Sequence, residues 1–136
     1  MTSQSAVRLA EAFKLLQAGR AAEALAIAQA VASALPAAAD AQHMLALCRK
    51  AVGDDAGAVA AFDVALAQAP RDPHVLGNYA NFLARLRRYE EAIALYRRAV
   101  DLVPTHAEAW TNLGLTRLEL GDVAGARDAL ERSVAV

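Results

Sequence analysis

Pro36, Pro70 and Pro104 recur at intervals of 34 residues, and each closes an alanine-rich segment with helical apolar spacing. A chain that repeats at this interval builds helix-turn-helix units, each too small to bury its own apolar face, so that neighbouring units must stack. Carrying the phase along the sequence gives units at Ser5 to Ala38, Ala39 to Asp72, Pro73 to His106 and Ala107 to Val136. Each unit holds two amphipathic stretches of roughly 14 residues, an ordinary helix length. The break between them falls in phase at Gly19, Gly53, Arg87 and Gly121. Glycine takes the left-handed conformation that ends a helix at no steric cost. In the second and fourth units Asp54 and Asp122 follow, and their carboxylates can accept the orphan N–H groups of the next helix. The prolines mark the other junction, because proline removes a donor and disfavours helix in the residue before it.

Inside the second helix of each unit, small residues recur at Ala24, Ala58, Ala92 and Ala126. Four residues later, on the same face, come Ala28, Phe62, Tyr96 and Leu130. The first helices repeat a small position at Ala12, Ala46, Ala80 and Gly114, preceded by Glu11, Leu45, Tyr79 and Leu113. The spacing predicts one two-helix joint built four times, in which a small residue lets the axes approach and a larger one fills the gap beside it.

Hydrophobic residues are 57% of the chain and aromatics 5%, so the apolar material is mainly alanine, leucine and valine, which favours closely stacked helices over a sheet. At 136 residues one cooperative domain is expected over the whole length. The net charge of -1 gives no general attraction to phosphate backbones or anionic lipid, so neither a nucleic-acid nor a membrane partner is expected. The lone Cys48 cannot close an intrachain disulfide, and a cytoplasmic location is expected. The segment from Ala21 to Ala34 has the small residues of an export signal, but Glu23 interrupts it and it lies in register with the repeat. Alanine abundance and the excess of arginine over lysine lean towards a bacterial source.

The repeat resembles the tetratricopeptide repeat, whose 34-residue unit reads Trp-x2-Leu-Gly-x2-Tyr, then Ala-x3-Phe, then Pro. The fourth unit supplies Trp110, Leu113 and Gly114, then Gly121, Ala126 and Leu130. The third supplies Leu76, Tyr79, Ala80, Leu83, Ala92, Tyr96, Ala99 and Pro104, and the second Leu45, Ala46, Gly53, Ala58, Phe62, Ala65 and Pro70. The first keeps Ala12, Leu15, Gly19, Ala24 and Pro36 but has Arg8 and Glu11 at apolar positions, as suits a terminal cap facing water. A 35-residue RNA-reading repeat is the nearest confusable array, and the proline interval and neutral charge argue against it. The resemblance implies an all-α fold, a right-handed α-α superhelix of antiparallel helix pairs.

In this family the first helix of each unit lines the concave groove, and spacing identifies the residues on one face of those helices. They are Ala6, Leu9, Phe13, Leu16 and Gln17 in the first unit, and Asp40, His43, Leu47, Lys50 and Ala51 in the second. The third gives His74, Gly77, Asn81, Ala84 and Arg85, and the fourth Glu108, Thr111, Leu115, Leu118 and Glu119. Apolar ends and a polar middle suit an extended peptide or a helix with apolar anchors. The competing reading has Leu9, Phe13 and Leu16 sealed by neighbouring chain. Asn78 and Asn112 share one phase, and similar asparagines hold peptide backbone in the repeats of O-linked N-acetylglucosamine transferases. Ala10 and Met44 stand in that phase in the first two units, leaving half a ladder. The lysine, asparagine and arginine clamp by which some family members grip chaperone tails is replaced by Leu9, Phe13, Leu47, Gly77 and Asn81.

No cofactor, metal or catalytic residue is expected. Asp40, His43 and His74 are suitable metal-ligand types at an unconvincing spacing, and the sequence holds no phosphate loop, nucleophile elbow or HExxH. Arg85, Arg87, Arg88, Arg97 and Arg98 form a basic cluster with Glu90 and Glu91 in helical reach, which reads as a solvated face, with an acidic partner as the sharper alternative. Ala126, Leu130 and Val134 would face the place where a fifth unit would stack, so either the parent chain continues there or this edge pairs with another molecule, in a homodimer for example. The function that follows is a non-catalytic scaffold binding a protein or peptide. The alternative is the repeat region of a larger bacterial enzyme, of glycosyltransferase or sulfotransferase type, used in substrate presentation or dimerisation.

Overall fold

The computed structural model describes residues 2–136, and all regular structure in them is helical. The helices are α1 (Ser3–Gln17), α2 (Ala21–Ala34), α3 (Ala39–Ala51), α4 (Asp55–Gln68), α5 (Pro73–Arg85), α6 (Tyr89–Leu102), α7 (Ala107–Glu119) and α8 (Val123–Ala135). They fall into two compact units that meet at Pro70 and Arg71, so each unit holds two of the 34-residue repeats. In the first, α1 pairs with α2 and α3 with α4, and α3 also packs on α2 and α1. In the second, α5 pairs with α6 and α7 with α8, and α7 packs on α6 and α5.

The junctions follow from the punctuating residues. Leu35, Ala69 and Val103, each just before a proline, have left helical geometry (φ -129, -136 and -131°), so α2, α4 and α6 stop there. Within the pairs, Gly19, Gly53 and Gly121 take φ of 78, 86 and 80°. Asp54 and Asp122 then accept from the N–H groups of Gly57 and Gly125 at 3.0 and 2.9 Å. A Cβ at either of those glycines would lie 2.1 or 2.2 Å from the capping carboxylate, so a larger residue there would make the aspartate side chain turn. Arg49 and Arg117, themselves in phase, donate to the carbonyls of the same glycines at 3.1 and 3.3 Å.

Arg87 occupies the third break and takes φ 62°, a left-handed conformation without the freedom of glycine. Such a residue costs roughly 1–2 kcal/mol, part of which the unfolded-state entropy of glycine would offset. Arg87→Gly should therefore raise stability by about 0.5–1 kcal/mol, seen as a rise of a few degrees in Tm; an unchanged or lower Tm would mean that the Arg87 side chain compensates through its surroundings.

The joints use the small residues in phase. Ala12, Ala46 and Ala80 are fully buried, as are Ala24, Ala58 and Ala92, and Ala126 is 2% exposed. At the fourth joint Gly114 brings α7 close to α8, because a Cβ there would lie 2.7 Å from Leu130 Cγ and 3.1 Å from the Ala126 carbonyl oxygen. Phe62, Phe82, Leu76, Leu83 and Leu113 are the largest fully buried side chains.

Candidate functional site

Residues expected on the groove face converge in the second unit, where α5 and α7 lie beside each other with α6 against both. Asn81 is at the centre. Its Oδ1 accepts from the Tyr96 hydroxyl of α6 and from Asn112 Nδ2 of α7, the latter at 3.1 Å. The Asn81 amide N–H2 and the Asn112 Oδ1 make no hydrogen bond among the described residues, leaving one donor and one acceptor of the kinds a peptide bond pairs with. Burial, helped by the Glu108 carboxylate, pushes the Tyr96 phenol up to about 12, so Tyr96 stays neutral and donating at physiological pH.

Two hollows open from this centre. One, of about 430 Å³, is bounded by Ala84, Arg85 and Tyr89 on one side and Leu115, Thr116 and Glu119 on the other. The smaller, of about 130 Å³, runs past His74, Gly77 and Asn78 towards His106 and Glu108. Asn81, Tyr96 and Asn112 line both. Leu115 is 50% exposed, and the exposed Arg85 lies over the Phe82 ring at 5.8 Å. The larger hollow offers amide hydrogen bonds, one apolar anchor in Leu115, one cation in Arg85 and one carboxylate in Glu119.

The other expected groove residues are distributed differently. Thr111 is half-buried and donates to its own helix at the Ala107 carbonyl, 3.0 Å. Leu118 belongs with the α8 edge, lining a hollow with Val123, Leu130 and Val134. In the first unit Leu9 is 7% exposed and joins the core, because α1 packs on both α2 and α3; the groove expectation is corrected there. Phe13 stays 42% exposed, and Leu16, Leu47 and Lys50 are half-buried. His43 is half-buried with its ring 6.0 Å from that of Phe62. Ala126, expected on the exposed edge, is taken into the α7–α8 joint by the close approach at Gly114, which leaves Leu130 and Val134 to form that edge.

Among the described residues no three His, Cys, Asp or Glu side chains gather as a metal-holding group, and no helix is long and apolar enough to cross a membrane. Cys48 is fully buried, and loss of hydration pushes its thiol up to about 11, which keeps it protonated and unreactive at neutral pH. Of the arginine cluster, Arg88 pairs with Glu91 at 2.8 Å, and Arg97 and Arg98 are exposed on α6.

Sequence spacing placed Glu119 on this face but not Tyr96, Tyr89 or Thr116. A signal for Tyr96 was present. Where the other units have Phe13, Leu47 and Leu115, the third has Asn81; where they have Ala28, Phe62 and Leu130, it has Tyr96. Two polar replacements in one unit mark a hydrogen-bonded pair, since a buried tyrosine hydroxyl needs a partner.

This is the architecture of stacked helical hairpins. Residues 73–136 match the family model of the tetratricopeptide repeat. The solved structure of Pseudomonas aeruginosa PilF superposes with a TM-score of 0.89 over 96% of this chain and 60% of that one, at 28% identity. The chain belongs to the tetratricopeptide repeat family, and its fold is of the all-α, helical-hairpin solenoid class. Among curated proteins it is 34% identical over 104 residues to that type IV pilus assembly protein, covering 73% of this chain and 40% of PilF. It is 36% identical over 75 residues to the Hsp70-Hsp90 organizing protein of Triticum aestivum, covering 55% of this chain and 13% of that protein. Mouse protein O-mannosyl-transferase TMTC1 is 30% identical over 136 residues, which is 97% of this chain and 14% of the transferase. The chain thus spans less than half the length of each of these relatives.

Proposed function

We propose that the chain is a non-catalytic protein-interaction scaffold, and that the α5–α7 face of the second unit holds an extended peptide. The observation that carries this reading is the Asn81–Tyr96–Asn112 cluster, which presents a donor and an acceptor to one peptide bond while a neutral tyrosine fixes the amide orientation. Leu115 supplies an apolar anchor, and Arg85 and Glu119 on opposite sides set register and polarity. Two relatives, a pilus assembly protein and an organizer of Hsp70 and Hsp90, are named for work on other proteins. The chaperone-tail clamp is replaced here by apolar and neutral residues, so an internal peptide segment fits better than a terminal carboxylate.

An array of unmodified 12-residue peptides, probed with the chain and with its Leu115→Asp and Arg85→Glu variants, tests this. Both side chains are exposed, so neither change should disturb folding. Each variant should bind the retained peptides about tenfold more weakly or worse; peptides held equally by all three forms would place recognition elsewhere. The mannosyl-transferase relative supports a second reading, in which this repeat block belongs to a larger enzyme and presents its substrate.

A further inference from the structure

Gly77 lies in the body of α5, and nothing in the packing of the described residues calls for glycine there. A Cβ at that position would meet no atom within 4 Å, whereas at Gly114 it would lie 2.7 Å from Leu130 Cγ. The other units carry Leu9, His43 and Thr111 in the same phase. Glycine weakens a helix interior relative to alanine, so the missing side chain is a loss to α5. What it leaves is room in the smaller hollow of about 130 Å³, which Gly77 lines. No lysine or arginine lines that hollow, and Glu108 brings a carboxylate to it. Glu108 is exposed and makes no ion pair among the described residues. Its charge nevertheless acts on the Tyr96 phenol, which lines the same hollow. Asn112 follows four residues later on the same face of α7 and adds its Oδ1, which accepts no hydrogen bond among the described residues. His106 is already engaged, because its Nδ1 accepts from the Ala109 N–H at 3.1 Å. A carboxylate and an amide oxygen thus stand one helical turn apart with no donor of this chain on either, and a cationic donor satisfies both.

We propose that the smaller hollow is the subsite for one basic side chain of the bound peptide, a lysine or arginine whose charged head meets Glu108 and Asn112 while its stem lies over Gly77. The inference rests on the α5–α7 face holding an extended peptide, and it adds the class of residue that this face selects beside the anchor at Leu115. The same carboxylate repels an acidic side chain. Glu108 also stands in the first turn of α7, where a carboxylate favours the helix. That effect belongs to α7 alone and takes no account of the charge on a partner, which separates the two roles by experiment.

The 12-residue peptides that the array retains should share one lysine or arginine position. Remaking the tightest of them with methionine there should weaken binding about fivefold or more, and glutamate should weaken it further. Glu108→Gln should cost the parent peptide the same factor and leave the methionine peptide unaffected. Glu108→Lys should reverse the order, holding the glutamate peptide more tightly than the parent. Gly77→Leu should weaken the parent peptide about tenfold with Tm unchanged or raised, since leucine is the better helix former. Retained peptides with no shared basic position overturn the proposal. So does a Glu108→Gln variant that weakens the lysine and methionine peptides equally, the result of a helix-end role alone. In either case, weaker binding by Leu115→Asp and Arg85→Glu would leave the peptide face standing without this subsite. Peptides indifferent to those two variants as well would remove the face and its subsite together.

Discussion

Tyr96→Ala should lower the unfolding free energy by about 3–5 kcal/mol, the range for truncating a buried aromatic, and Tyr96→Phe by about 1 kcal/mol. The ring is 2% exposed and occupies the gap beside Ala92, so its loss leaves a cavity. The hydroxyl is a separate contribution: without it Asn81 Oδ1 keeps a single donor, Asn112. A domain of this size is stable by only about 5–15 kcal/mol, so the alanine variant should unfold at clearly lower urea. Near-equal effects of the two substitutions would show that the hydroxyl, and not packing, dominates this position. The phenylalanine variant should also bind retained peptides less well than its small stability loss suggests, because the Asn81 amide is then free to rotate.

Gly114→Ala should cost about 1–3 kcal/mol, as expected of overpacking a closed joint. The added Cβ would meet Leu130 Cγ at 2.7 Å and Cδ2 at 3.0 Å, and the backbone oxygen of Ala126 at 3.1 Å. The leucine can turn aside, but the Ala126 carbonyl is fixed within α8, so the two axes must separate. Gly77→Ala is the matched control: Gly77 is also helical, but a Cβ there meets nothing within 4 Å. Alanine favours helix over glycine by about 0.5–1 kcal/mol, so the control should be neutral or stabilising. Thermal unfolding of the two variants should move in opposite directions, and a shared direction would contradict the close approach of α7 and α8.

The proline interval made the eight helices and their junctions legible, because Leu35, Ala69 and Val103 obey a local rule about the residue before proline. Arg87 was legible for a similar reason, since its phase placed it at a left-handed position otherwise held by glycine. The site was read less completely. Face periodicity singled out Asn81, Arg85 and Leu115, and repeat phase Asn112, which together line one hollow, but periodicity ranks residues by direction from one helix axis and says nothing of depth. Leu9 therefore counted as groove lining although α2 and α3 cover it, and Ala126 as edge although it lies inside the joint at Gly114. Leu118 shows the same limit along the axis, for it shares the face of Leu115 yet lies at the end where the α8 hollow begins. Tyr96 was missed as a site residue because the repeat assigns its position to packing, and only the coincident change at Asn81 reveals its second role.

The central claim is that the α5–α7 face of the second unit grips peptide backbone through Asn81 and Asn112. It is tested most directly by titrating 15N-labelled chain with the peptide an array retains best and following backbone and side-chain amide signals. The account predicts that the side-chain N–H2 signals of Asn81 and Asn112 shift most, together with backbone amides around Gly77 to Arg85 and Glu108 to Glu119. Shifts confined to Arg97 and Arg98 on the outside of α6, with the two asparagine signals unmoved, would contradict it.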